Sequence, residues 1–423
     1  MQPALTIAPK DWMTTLATRA VMDALRADGN EARFVGGCVR DTMMNEVRGI
    51  NRPVGDIDIA SDAAPDRVIE LLTKAGLKAV PTGIDHGTIT AVSDGKPFEV
   101  TTLRRDVETF GRHARVAFTD DWAEDAARRD FTINAMSLTV DGRLFDPFGG
   151  LTDIKTGRVR FVGEARARIA EDVLRLLRYF RFFAHFDRPP PDADALAACA
   201  EFAPKLPTLS GERVRAELFK LLAAPDPAPT LDLMARERVL DHVLQEADDV
   251  PRLAALTAIE TSVLRRVPDP LLRLAAVLVG GGPVAMTVAV RLRLSNKERA
   301  RLTALASSAP ISPPMDERTM RRLLQRLGAE PFADHVLLNW AEARVKGTAD
   351  DRAWRALLEA ARAWTPIAFP IRGEDALTLG LAPGPDIGEL ITAVEEWWVG
   401  QDFRPDRAAC LAQLKVLVGR LVK

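Results

Sequence analysis

The amino-acid sequence predicts an α+β chain, with a mixed-sheet domain at its N-terminus and an all-helical remainder. Two observations carry this expectation. Short β-branched and apolar runs bounded by turn residues occur only before about residue 163, interleaved with helical segments. Beyond that point helical patterns take over, interrupted by proline-rich breaks at 223–229, 307–314 and 382–385. The expected divisions are 1–160 for the sheet domain and 161–225, 226–310 and 311–423 for three helical segments.

The elements follow in order. Residues 32–35 form a short apolar strand that enters the pair Gly36-Gly37, and a helix is expected from about Cys38. Residues 56–60 alternate acid with apolar side chains, as a strand does. A helix is expected over 65–75, with proline at its start. The runs 88–92 and 98–103 are strands separated by the turn signal Ser93-Asp94-Gly95-Lys96-Pro97. Residues 165–186 read as one long helix, ended by Asp187-Arg188-Pro189-Pro190-Pro191.

A length of 423 residues suggests two to four domains. With 47% apolar and 27% charged residues the composition is that of a soluble globular protein, and no run approaches the roughly 20 apolar residues that span a bilayer. The first 26 residues lack the apolar core of a secretory signal. Cys38, Cys199 and Cys410 are too far apart and too few for a disulfide framework or zinc-ligand spacing, so a cytoplasmic location is expected. A net charge of −2 argues against sequence-blind coating of a polyanion, and leaves room for a local arginine-lined groove.

Four motifs carry chemistry. In Phe34-Val35-Gly36-Gly37-Cys38-Val39-Arg40-Asp41, a strand passes through two glycines into a helix. Such a turn lets backbone N–H groups approach a phosphate, with Arg40 one turn further in; taken alone it is equally a tight turn with a surface arginine. Asp56 and Asp58, two apart on a strand, share a face, and such a pair is costly unless a cation such as Mg²⁺ neutralises it. Glu99, on a later strand, is either a third carboxylate beside that pair or an ordinary outward-facing residue. Arg129, Asp130 and Asn134 lie within what reads as two helical turns, Asp130 and Asn134 sharing a face suited to ribose hydroxyls.

The fourth motif runs from Glu171 to Arg181. Val173, Leu176, Leu177 and Phe180 form a buried stripe, while Asp172 and Arg175, three apart, project together. An acceptor beside donors complements the Watson–Crick edge of cytosine or adenine. Guanine and uracil would set O6 or O4 against the carboxylate, and an unsatisfied buried polar group costs roughly 1–3 kcal/mol. Arg178 stays near this face. Arg181 falls about half a turn away, placing it as a structural or phosphate contact.

The glycine turn followed about twenty residues later by Asp-x-Asp resembles the nucleotidyltransferase superfamily that includes DNA polymerase β. The fuller set resembles the class II tRNA nucleotidyltransferases, the CCA-adding enzymes, and their relatives the bacterial poly(A) polymerases. It comprises residues 34–41, 56–60, 83–92, 98–106, 111–118, 128–135, 145–162 and 171–182, with weaker likeness at 210–220 and 373–388. The resemblance implies a polymerase-β-like nucleotidyltransferase head with a mixed β-sheet, followed by an all-α neck, body and tail holding tRNA by its 3′ end and acceptor arm. It implies Asp56 and Asp58 as Mg²⁺ ligands, with Gly36, Gly37 and Arg40 at the triphosphate. Asp130 and Asn134 would meet the ribose and Arg129 the phosphates. Asp172 and Arg175 would read the base of CTP or ATP, with Arg178 and Arg181 as accessory contacts. Residues 106–118 correspond to the family's flexible loop associated with the change from C to A addition. In-line attack of the tRNA 3′-hydroxyl on the α-phosphorus is the implied reaction. His86 and His113 are read as structural and loop-face residues rather than bases. Competing readings are a poly(A) or A-only enzyme, a catalytically silent RNA-binding relative, and a small-molecule nucleotidyltransferase.

Overall fold

The computed structural model describes residues 2–110, 113–186, 190–307, 309–379, 381 and 384–421, with the side chains of 85, 106–110, 113–116, 420 and 421 left undescribed. Among the described residues there are ten strands: β1 (Leu5–Thr6), β2 (Ala32–Val35), β3 (Asp58–Ser61), β4 (Lys78–Gly83), β5 (Thr88–Ser93), β6 (Lys96–Thr102), β7 (Arg104–Phe110), β8 (His113–Phe118), β9 (Ser137–Leu138) and β10 (Arg143–Phe145). Eight of them form one sheet in the order β1-β10-β9-β2-β3-β6-β5-β4. β3 and β6 run parallel and the other neighbours antiparallel, so the sheet is mixed as expected. Its core holds Phe34, Ile59, Val100 and Leu138, all fully buried. The β5–β6 hairpin closes through Asp94 and Gly95, both at positive φ, with Ser93 opposite Lys96.

β7 and β8 form a separate two-stranded ribbon. Residues 106–118, expected as a loop, are therefore paired strands on either side of 111 and 112, which lie outside the described residues.

Among the described residues no named strand follows β10. The helical remainder begins with Ala165–Glu171, and here expectation and structure part. The single helix 165–186 is two helices, Ala165–Glu171 and Leu174–Phe186, with Asp172 extended between them (φ −151°, ψ 107°). The Asp172 carboxylate accepts the Leu174 N–H at 3.1 Å, capping the second helix. Residues 125–135 are likewise not one helix: Trp122–Ala127 ends before Arg128, and Thr132–Asn134 is a separate 3₁₀ turn.

Phe131, Phe161, Tyr179 and Phe182 pack ring on ring, Phe161 and Tyr179 stacked at 5.9 Å. This aromatic cluster ties helix Leu174–Phe186 to the end of the sheet domain. The chain divides into two compact units, Met1–Gln245 and Glu246–Lys423. The division falls inside the segment 226–310 because helix Ala228–Arg236 packs back on Leu174–Phe186. The second unit is helical, with a buried Arg273–Glu260 pair at 2.6 Å and a later cluster around Trp398, Val394 and Leu414. Among the described residues no helix is long and apolar enough to cross a membrane.

Candidate active site

β2 stops at Val35, opposite Asp58, so the ladder has no partner for the residues before Asp58. Hence Asp56 lies in an irregular run rather than on the expected strand, yet both aspartates face one cavity. Gly36 turns the chain with φ +70° and ψ −132°, and helix Gly37–Arg48 follows. A Cβ on Gly36 would stand 3.2 Å from Asp58 Oδ2 and 3.8 Å from Arg129 Nη1. Glycine is required here both by the dihedral angles and by the closeness of the acid.

The cavity has a volume of about 730 Å³. Gly36, Gly37, Arg40, Asp56, Asp58, Arg129, Asp130, Asn134, Asp172, Arg175, Arg178 and Arg181 all line it. Glu99 does not. It is exposed, and sits beside Asp58 in the parallel β3–β6 register.

Asp58 is held in an unusual electrostatic state. Burial, then the neighbouring charges of Glu99 and Asp56, push its carboxyl up to about 6, against the pull of Arg129 and Arg40. A half-buried carboxylate crowded by two acids suits a hard divalent cation, and oxygen donors are what Mg²⁺ takes. The described residues contain no group of three or more His, Cys, Asp or Glu able to hold a metal. Asp56 and Asp58 line the cavity and could hold such a cation, while Glu99 acts on Asp58 as a neighbouring charge.

A hydrogen-bonded chain crosses the cavity floor. Arg40 Nη1 donates to Asn134 Oδ1 at 2.9 Å, Asn134 Nδ2 to Asp130 Oδ1 at 3.0 Å, and Arg178 Nε to Asp130 Oδ2 at 2.7 Å. Burial opposes ionisation of Asp130, but Arg178 and Asn134 outweigh it and hold the carboxyl below its usual range. The pairing of Asp130 with Asn134, expected from a shared helix face, thus arises from a turn.

Asp172 and Arg175 line the same cavity and are joined by an i,i+3 backbone hydrogen bond (Arg175 N–H to the Asp172 carbonyl, 3.0 Å), while their side chains pair with other groups. Asp172 Oδ2 accepts from Arg213 Nη2 at 2.7 Å. Arg175 pairs with Glu171 and donates to the carbonyls of Arg168 (3.1 Å) and Arg128 (3.3 Å). Arg181 also lines the wall, because the break at Asp172 removes the helical rotation that set it half a turn away. Burial is the main cause, with Arg178 and Arg40 adding repulsion, that brings its guanidinium down to about 10, while Glu217 at 3.1 Å opposes the shift.

Arg128, Arg213 and Lys220 also line the cavity and were missed in the sequence. Arg213, Glu217 and Lys220 recur at i, i+4 and i+7 on helix Gly211–Leu222. That charged spacing, inside the weakly similar segment 210–220, was the available signal. His86 is exposed and away from the cavity, while the His113 side chain lies outside the described residues.

Residues 32–160 match the model of the family described as "Poly A polymerase head domain", and 191–250 that of "Probable RNA and SrmB- binding site of polymerase A". With the mixed sheet and its paired aspartates, this defines a nucleotidyltransferase of the polymerase-A class. The chain is 35% identical to mouse (Mus musculus) CCA tRNA nucleotidyltransferase 1, mitochondrial, over 95% of its own length and 90% of the relative's. The human (Homo sapiens) counterpart is 34% identical over the same shares. The crystal structure of the Bacillus stearothermophilus CCA-adding enzyme in complex with CTP superposes with a TM-score of 0.72 at 28% identity, covering 96% of this chain and 98% of that one. The chain belongs to the family of CCA tRNA nucleotidyltransferases.

Proposed function

We propose that this protein adds C, C and A in turn to the 3′ end of tRNA, using CTP and ATP and releasing pyrophosphate. The observation that supports it most is the single cavity that Asp56, Asp58, Asp172 and Arg175 all line. Family membership supplies the substrate class, since the relatives are CCA-adding enzymes.

In this reading the tRNA 3′-hydroxyl attacks the α-phosphorus in line. Asp56 and Asp58 would hold Mg²⁺, which would supply activation of the hydroxyl and neutralisation of the leaving pyrophosphate. Gly36 and Gly37 bring the start of helix Gly37–Arg48 against the triphosphate, and Arg40 and Arg129 add charge-assisted contacts. Asp130, aligned by Arg178, and Asn134, aligned by Arg40, present an acceptor and an amide to the ribose. Asp172 accepts from the amino group of cytosine or adenine while Arg175 donates to the adjacent ring nitrogen or carbonyl. Arg178 and Arg181 are accessory nucleotide contacts. The expected division of labour is a catalytic head in 1–160, a neck in 161–225, and body and tail in 226–310 and 311–423 gripping tRNA. All three cysteines are free and buried, which supports a reducing, cytoplasmic setting.

The test is incubation of purified protein and Mg²⁺ with tRNA lacking its CCA end, labelled CTP and ATP. Three added nucleotides ending in A are expected. Long A tails without C incorporation would identify a poly(A) polymerase instead, and no transfer at all a silent RNA-binding relative.

A further inference from the structure

Asp125 does not line the nucleotide cavity, yet the cavity's basic wall hangs on it. Its side chain is almost fully buried at the end of helix Trp122–Ala127. Oδ1 accepts from Arg128 Nε at 2.9 Å and Nη2 at 2.8 Å, and Oδ2 from Arg129 Nη2 at 3.0 Å. Oδ1 also accepts, at 3.3 Å, from the backbone N–H of Arg104, the first residue of β7. Burial opposes its ionisation, but Arg129 and Arg128 prevail and keep the carboxyl below its usual range. One carboxylate therefore gathers two adjacent guanidiniums and the root of the β7–β8 ribbon.

The consequences reach both Asp58 and Arg175. Arg129 lies between two acids, held by Asp125 on one side and acting on Asp58 on the other. Were Asp125 uncharged, Arg129 would lose this partner while still acting on Asp58, and a guanidinium closing on Asp58 competes with a divalent cation for the same oxygens. Arg128, fixed by the same carboxylate, offers its carbonyl to Arg175 Nη2. A shift of Arg128 removes one of the fixed acceptors that aim Arg175.

We propose that Asp125 is a positioning residue for the nucleotide: it aims Arg128 and Arg129 into the cavity, keeps Arg129 off Asp58, and through the residue 128 carbonyl steadies Arg175. This rests on the reading of the cavity as a nucleoside triphosphate site. It makes the stretch Asp125–Asp130 one device, in which an acid outside the wall sets the charge available inside it.

The experiment is calorimetric titration of the full-length protein with CTP and with ATP, in the absence of tRNA, at a series of Mg²⁺ concentrations. Wild type, Asp125→Asn, Asp125→Glu, Arg129→Gln and the double variant Asp125→Asn/Arg129→Gln are compared, with melting temperature followed in parallel. Asp125→Asn keeps shape and loses charge. It is expected to raise Kd for both nucleotides about tenfold, the loss of roughly one charge-assisted contact, and to raise the Mg²⁺ concentration that gives half-maximal affinity. Asp125→Glu recovers part of the affinity, and the double variant loses less than the sum of the two single losses, because the part carried by Arg129 is shared while the part carried by Arg128 and Arg175 remains. A purely structural role predicts otherwise: a lower melting temperature with unchanged Kd and Mg²⁺ dependence, or additive losses in the double variant. Either result overturns the proposal. Should Asp125→Asn not fold, Asp125→Ser carries the test, since wild-type affinity and Mg²⁺ dependence without the carboxylate also overturn it. Wild type that binds both nucleotides but extends no tRNA overturns the assigned reaction and leaves this comparison intact.

Discussion

At the scale of single residues, two carboxylates carry opposite burdens. Asp58 has a folded-state value of about 6 against an ordinary 3.8, so the metal-free fold favours its protonated form. The penalty for ionising it is absent below about pH 3.8, grows between 3.8 and 6, and is complete above 6. Asp58→Asn should therefore raise the melting temperature of metal-free protein at pH 8, with the gain vanishing near pH 3.5. Mg²⁺ should stabilise wild type at pH 8 and the variant far less, by preferential binding to the folded state. Thermal melts at several pH values, with and without chelator, check both. A variant that melts like wild type at every pH would show that the acid is not strained. On the proposed reading Asp172 bears the other burden, that of choice. Asp172→Asn adds a donor where only acceptors stood, so uracil O4 or guanine O6 becomes tolerable. UTP misincorporation should rise about tenfold, in line with one buried unsatisfied group, in a competition assay against CTP. Unchanged fidelity would remove Asp172 from base reading.

At the scale of elements, legibility followed the range of the interactions. The β5–β6 hairpin was readable because Asp94-Gly95 dictates its turn locally. The strand-to-helix turn at Gly36 was readable for the same reason. What the sequence hid were interruptions imposed from afar. Residues 165–186 keep an unbroken helical pattern, and the break at Asp172 is paired with a bond to Arg213, 41 residues on. Likewise the start of β3 depends on where β2 ends, not on the alternation around Asp56. The Asp172–Arg175 relation was inferred from helical spacing, and the two groups meet the same cavity by a different route. The Gly36 turn allows a direct check. Gly36→Ala places a methyl 3.2 Å from Asp58 Oδ2 at a φ of +70°. It should cost about 1–3 kcal/mol of stability and depress nucleotide transfer by displacing Asp58. Melting and turnover measured together test this; an Ala variant with wild-type values in both would mean the turn relaxes freely.

At the scale of the whole molecule, the net charge of −2 was the one signal pointing away from a phosphate-binding role. The cavity resolves it. Its wall carries eight Arg and Lys side chains (Arg40, Arg128, Arg129, Arg175, Arg178, Arg181, Arg213, Lys220) against five aspartates (Asp41, Asp56, Asp58, Asp130, Asp172), a local excess of three positive charges. Steering depends on that local field rather than on the sum over 423 residues. Every one of these side chains belongs to the unit Met1–Gln245. A fragment spanning residues 1–245 should therefore bind CTP and ATP with a Kd within about threefold of the full chain, a change of under 1 kcal/mol. The same fragment should extend tRNA poorly, because the helices beyond Gln245 are assigned to holding it. Calorimetry on the fragment reads the first expectation and primer extension at rising tRNA concentration the second. A fragment that melts cooperatively yet binds neither nucleotide would place part of the triphosphate site in the second unit. One that extends tRNA as well as the whole protein would strip those helices of their assigned role.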